Sequence, residues 1–170
     1  MDFITLFLEE LDREAARSRH ALEQLPENQR GWKPHDRSMT FGPLADMVAT
    51  IPTWFALIVN QDSLDIAPKD PGARPPRPQP TTKAEYLAAL DKAVGEARAA
   101  LTATNETHLR THWKLLAGGT VASHVPRHQM LRDTMNHWAH HRGQMTVYLR
   151  LMGATVPALY GPSADDQRFG

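Results

Sequence analysis

The chain of 170 residues is the length of one ordinary domain, long enough to bury a core without metal or disulfide staples. Its 19 basic and 19 acidic side chains cancel, which removes any general electrostatic drive toward nucleic acid, an anionic membrane or an acidic partner. The absence of cysteine excludes disulfides, thiolate metal ligands and a cysteine nucleophile, so sulfur chemistry would have to come from a substrate.

The first residues, MDFITLFLEELDRE, turn acidic after a short apolar run, unlike a signal peptide. No stretch approaches the ~18 apolar residues of a membrane span, so a soluble, cytoplasmic protein is expected. Ile4, Phe7, Leu8, Leu11, Ala15, Leu22 and Leu25 recur at three- and four-residue steps and predict an amphipathic helix ending at Pro26. Thr40 reads as the N-cap of a second helix striped by Phe41, Leu44, Met47/Val48, Ile51, Phe55 and Ile58, kinked at Pro52. Six prolines follow in residues 62–82 (Pro68, Pro71, Pro75, Pro76, Pro78 and Pro80), favouring an extended, semi-rigid crossover. Tyr86, Leu87, Leu90, Val94, Ala97 and Leu101 mark a third helix from Lys83 to about Ala103, rich in alanine.

Residues 112–125 carry Gly118-Gly119 between mixed apolar runs, which reads either as a small hairpin or as an irregular connection. Pro126 suits the first turn of a fourth helix, and Met130, Leu131, Thr134, Trp138, Met145, Tyr148, Leu149 and Met152 carry it to a stop at Gly153. The turn-rich tail is expected to lie across the helices. Together these elements predict an all-α fold, a four-helix bundle with a long crossover between helices two and three, as a single domain over 1–170.

Chemistry is concentrated in the fourth helix, at Asn136-His137-Trp138-Ala139-His140-His141-Arg142-Gly143-Gln144. His137 and His141, spaced i and i+4, project from one helical face close to the apolar stripe and can grip one metal ion. The alternative is a pair of core histidines hydrogen-bonded to nearby polar groups. A catalytic divalent ion normally takes at least three protein ligands and keeps an open position. His140 competes as a clamp residue but is turned about 100° from His141, toward the helix flank.

The run NHWAHHRGQMTVYLRLMG and the tail VPALYGPSAD resemble the last helix and C-terminus of the DinB (damage-inducible) family, also called DinB/YfiT-like metalloenzymes. The family motif of a histidine, three residues and His-Arg-Gly-Gln appears as His137, His141, Arg142, Gly143 and Gln144. The segment WKPHDRSMTFGPLADMVATIPTW resembles the family's lead into helix two. The resemblance implies a four-helix bundle in up-down-down-up order, commonly a homodimer. It also implies a divalent metal, often zinc or nickel, on three histidines, with thiol-dependent transferase or isomerase chemistry in some members.

The family's third histidine follows the Phe-Gly-X-Leu-Ala pattern of helix two, here Phe41-Gly42-Pro43-Leu44-Ala45, and its position holds Met47. A thioether is a soft, neutral donor that suits copper(I) and serves zinc, nickel, manganese or iron(II) poorly. Met47 also reads as flexible core filler, the reading preferred over a copper site. Asp46 lies about 100° round the helix from that face. His20 is expected to be exposed, and His35 belongs to a Pro34-His35-Asp36 turn. His124 and His128 lie ~13 to 20 Å along the helix axis from the clamp. Arg142 and Gly143 are expected to be structural, Gly143 by permitting close helix approach; Arg142 and Gln144 can cap, pair or contact a dimer partner. Trp32, Trp54, Trp113 and Trp138 are expected as packing anchors. The resulting expectation is an incomplete three-histidine site with weak or no metal binding and a retained pocket for a small molecule. The alternative is a divalent-metal-dependent hydrolase or thiol-dependent transferase using His137 and His141.

Overall fold

The computed structural model describes residues 2–70, 72 and 79–168; Pro71, Pro75, Pro76 and Pro78 of the crossover lie outside them. Helix α1 (Phe3–Leu22) opens where the Asp2 carboxylate accepts from the Thr5 amide at 2.7 Å, satisfying one of the amides that a helix start leaves unpaired. Helix α2 (Phe41–Thr50) and helix α3 (Thr53–Asn60) are the two halves of the expected second helix, bent by 53° at the break. The cause is Pro52, whose nitrogen carries no hydrogen for the Val48 carbonyl four residues back. Trp138 takes the place of that lost partner: its indole Nε1 donates to the Val48 oxygen at 2.7 Å.

Strand β1 (Ser63–Asp65) follows, then helix α4 (Lys83–Ala103), opened by a capping box between Thr82 and Glu85. The short helix α5 (Glu106–Leu109) leads into strands β2 (His112–Ala117) and β3 (Thr120–Pro126) and the long helix α6 (Arg127–Leu151). Helix α6 ends at Gly153, whose φ of +74° is the left-handed conformation glycine adopts most readily.

One expectation is corrected. The fold is mostly helical but not all-α: among the described residues there are six helices and a three-stranded sheet in the order β1-β2-β3. The hairpin alternative holds for residues 112–126, where β2 and β3 pair antiparallel and Gly118 and Gly119, at φ +63° and +82°, make the tight turn. The crossover itself contributes β1, paired parallel to β2 with Leu64 opposite Leu115. The Asp65 carboxylate accepts from the amides of Gly118 at 3.0 Å and Gly119 at 2.7 Å, tying the new edge to the hairpin turn.

Helix α1 packs against α4 and α6, and α2 and α3 pack against the same two helices. Leu11, Leu22, Leu44, Phe55, Ile58, Leu90, Leu101, Leu131, Trp138 and Leu149 fill the space between them. Alanines at 93, 97 and 100 on the buried face of α4 let the neighbouring helices approach closely. No single helix among the described residues is long and apolar enough to cross a membrane; the bent α2–α3 pair meets the length and composition criteria, but its apolar residues belong to this core.

Candidate metal centre

The α2–α3 run lies antiparallel to α6. Tyr148 donates to the Met39 carbonyl at 3.0 Å and stacks on Phe41 with ring centres 6.2 Å apart, while further along Trp54 meets His137 edge-on at 6.2 Å. Met47 falls between these two contacts along the α2–α3 run.

His137 and His141 come together as their spacing predicts, with Nε2 atoms 2.7 Å apart. His141 is buried, with 9% of its surface accessible, whereas His137 stands exposed at the rim. Gln144, one turn beyond His141, places its side-chain oxygen 2.8 Å from His141 Nδ1, which therefore donates. A neutral imidazole protonated at Nδ1 carries its lone pair on Nε2, so His141 Nε2 accepts from His137 Nε2–H. This is the outer-shell control of tautomer that metal-ligating histidines commonly have.

Both imidazoles titrate below the ordinary histidine value of 6.5. For His137 the larger cause is partial burial, followed by the positive charge that His141 and His140 would carry; for His141 burial again leads, opposed by the bond to Gln144. Protonation therefore costs more in the folded chain than in the unfolded one. The pair leaves stability unchanged above pH 6.5 and lowers it as pH falls through and below that value. Ring-nitrogen NMR titration of metal-free protein is expected to give midpoints below 6.5 for both residues; midpoints at or above it would contradict this arrangement.

The third position is less favourable. Met47 is half-buried and packs against the core, while its neighbours Leu44, Ala45, Val48 and Ala49 are fully buried. Asp46 is committed elsewhere: its two oxygens accept from Arg30 at 3.0 Å each. Gly42 makes that pairing possible, because a Cβ there would stand 3.0 Å from the guanidinium carbon of Arg30. His140 is exposed, with its ring 5.2 Å from that of His141. His35 accepts from the Arg37 amide at 3.1 Å inside its own turn, and His20 is exposed on α1. His124 pairs with the ring of His112 at 5.0 Å, and His128 stacks on Phe3 at 4.5 Å. Among the described residues no group of three or more His, Cys, Asp or Glu could hold a metal ion.

The donor chemistry therefore does not fit a three-histidine zinc or nickel centre, since it offers two imidazoles and a thioether. Two nitrogens each ~2.05 Å from a tetrahedral zinc stand ~3.3 Å apart, so the present pair would also have to open.

Arg142 pairs, as its structural reading predicts, and the pairing is buried. It is fully inaccessible, donates to the Glu14 carbonyl at 3.1 Å and Ser18 Oγ at 2.9 Å, and reaches the Glu14 carboxylate and the Tyr160 hydroxyl. Tyr160 in turn donates to Glu14 at 2.8 Å, so the tail is fastened to α1 and α6 by the residue next to His141. Gly143 is a correction: it is exposed and a Cβ there would meet nothing within 4 Å, so among the described residues of the chain no helix approaches it closely.

A second polar cluster went unread in the sequence. Arg127 is buried and donates to His108 Nε2 at 2.9 Å, the His112 carbonyl at 3.2 Å and Asp62 at 2.8 Å, joining α5, β2 and α6. Its partners lie 15 to 65 positions away, and no local signal connects them.

The DinB family model matches residues 1–168. The chain belongs to the DinB family. Structural likeness runs the same way: a DinB-like protein from Bacillus cereus has a TM-score of 0.65 at 22% identity, over 91% of this chain and 95% of that one. The DinB-like protein YjoA from Bacillus subtilis has a TM-score of 0.68 at 20% identity, over 96% and 99%. At these identities the likeness shows the DinB fold. The uncharacterized protein YrdA of Bacillus subtilis is 41% identical over 51 residues, which is 29% of this chain and spans only 30% of that protein. In this DinB chain a cavity of about 210 Å³ lies at the N-terminal end of α4, lined by Arg30, Phe41, Thr82, Lys83 and Tyr86 among others, away from His137, His141 and Met47.

Proposed function

We propose that this DinB-family protein has an incomplete metal site, at His137, His141 and Met47, that binds divalent metal weakly or not at all, and that it retains a pocket for a small molecule. The observation that carries the reading is the donor set: two imidazoles already joined at 2.7 Å, with the thioether Met47 at the position where the family resemblance puts a third histidine. At this site a small polar ligand would meet the exposed imidazole of His137, which has Trp54 edge-on to it and is hydrogen-bonded to the buried His141.

A second reading, a divalent-metal-dependent hydrolase or thiol-dependent transferase, has one observation in its favour. Gln144 holds His141 in the tautomer that a metal ligand needs. The two readings separate in elemental analysis of tag-free protein beside His137→Ala. The incomplete site predicts zinc and nickel far below one equivalent in both. One equivalent in the wild type, lost in His137→Ala, would overturn it.

A further inference from the structure

The cavity at the start of α4 shares no residue with the candidate metal centre. Its floor is apolar, made by the buried side chains of Leu25, Phe41 and Tyr86. Its walls are tied together by Arg30, which donates to both oxygens of Asp46 on α2 at 3.0 Å and also reaches the Pro80 carbonyl and the Tyr86 hydroxyl. One side chain thus joins the loop after α1 to α2, to the end of the crossover and to α4. A site held in this way needs little reordering to receive a ligand. At about 210 Å³ it exceeds the ~150 Å³ of an apolar cavity that takes up benzene, which leaves room for a branched apolar group and a small polar head.

The rim carries free charge of both signs. Glu27 and Lys83 line the cavity and are exposed, and among the described residues neither forms an ion pair or a side-chain hydrogen bond, with the other or with any third group. The side-chain amides of Asn28 and Gln29, on the same rim, are equally unpartnered among those residues. Arg30 and Asp46 cancel, so one anion and one cation remain to meet a ligand. A carboxylate would gain from Lys83 and be opposed by Glu27, an amine the reverse, and a molecule that carries both groups satisfies both. We propose that this cavity binds a free amino acid with an apolar side chain, its side chain on Leu25, Phe41 and Tyr86, its carboxylate at Lys83 and its ammonium at Glu27. Binding there is independent of whether His137 and His141 hold a metal.

The test is an NMR-monitored titration of isotope-labelled, tag-free protein with L-leucine, with isocaproate, which lacks the ammonium, and with isoamylamine, which lacks the carboxylate. L-leucine is expected to saturate one site, with shifts centred on Leu25, Phe41 and Tyr86. Isocaproate and isoamylamine are each expected to bind more weakly by roughly tenfold or more, the worth of one charge-assisted hydrogen bond. Lys83→Met and Glu27→Gln, at exposed positions outside the core, are expected to weaken L-leucine by a similar factor while the rest of the spectrum stays that of the folded protein. His137→Ala is expected to leave L-leucine binding unchanged. No saturable binding of L-leucine, isocaproate bound as tightly as L-leucine, or shifts centred on Trp54 and His137 and lost in His137→Ala would each overturn the amino-acid site. Stoichiometric zinc in the wild type would overturn the incomplete-site reading instead, so the two failures are distinct.

Discussion

Arg142→Met is expected to lower folding stability by about 3 kcal/mol, the low end of the range for removing one partner of a buried ion pair. The loss comes from Glu14, which is only 2% accessible and would keep its charge in the interior. It stays at the low end because Arg17 still reaches the carboxylate and Tyr160 still donates to it. Replacing both residues, Glu14→Leu with Arg142→Met, should cost less than Arg142→Met alone, since no orphaned charge remains. Urea unfolding midpoints measure both. The pH dependence has a definite sign. Burial pushes the Glu14 carboxyl up, but its bonds to Arg142, Tyr160 and Arg17 and the Arg142 charge outweigh that and hold it below the ordinary 4.5. The stabilisation is therefore complete above pH 4.5 and is lost as pH falls below it through the folded value. Glu14→Gln should flatten that acid limb; an unchanged limb would show that other carboxylates govern it.

Trp138→Ala is expected to cost about 3–5 kcal/mol, the usual range for emptying a fully buried aromatic site. Trp138→Phe separates the packing from the hydrogen bond. It keeps most of the ring but leaves the Val48 carbonyl without its 2.7 Å donor, a loss of about 1–3 kcal/mol. That carbonyl needs the indole because Pro52 cannot supply a hydrogen. In a Pro52→Ala background the new amide can serve Val48, so Trp138→Phe should cost less there. Equal costs in the two backgrounds, read from a double-mutant cycle, would contradict the coupling.

Much of this was legible because it is local. Helical periodicity located α1, α4 and α6, Pro52 marked the break between α2 and α3, and Gly118-Gly119 allowed the hairpin. The i, i+4 spacing of His137 and His141 specified a pair that the fold does bring together. What stayed hidden was non-local. β1 has three residues in a proline-rich stretch and exists through pairing with β2, some fifty positions away. Nothing local marks Glu14 as buried, because its partner Arg142 lies 128 positions on. His137 lies close to a stripe that suggested burial, yet it is exposed while His141, one turn on, is buried.

The most direct test of the account is a paired zinc titration by calorimetry on tag-free wild type and Met47→His. An imidazole at position 47 would supply the third nitrogen donor that the family resemblance puts there, beside His141, whose tautomer Gln144 already holds. The account predicts little or no saturable zinc binding by the wild type and one equivalent by Met47→His. Tight, stoichiometric binding by the wild type, or none by Met47→His while its fold is retained, would contradict it.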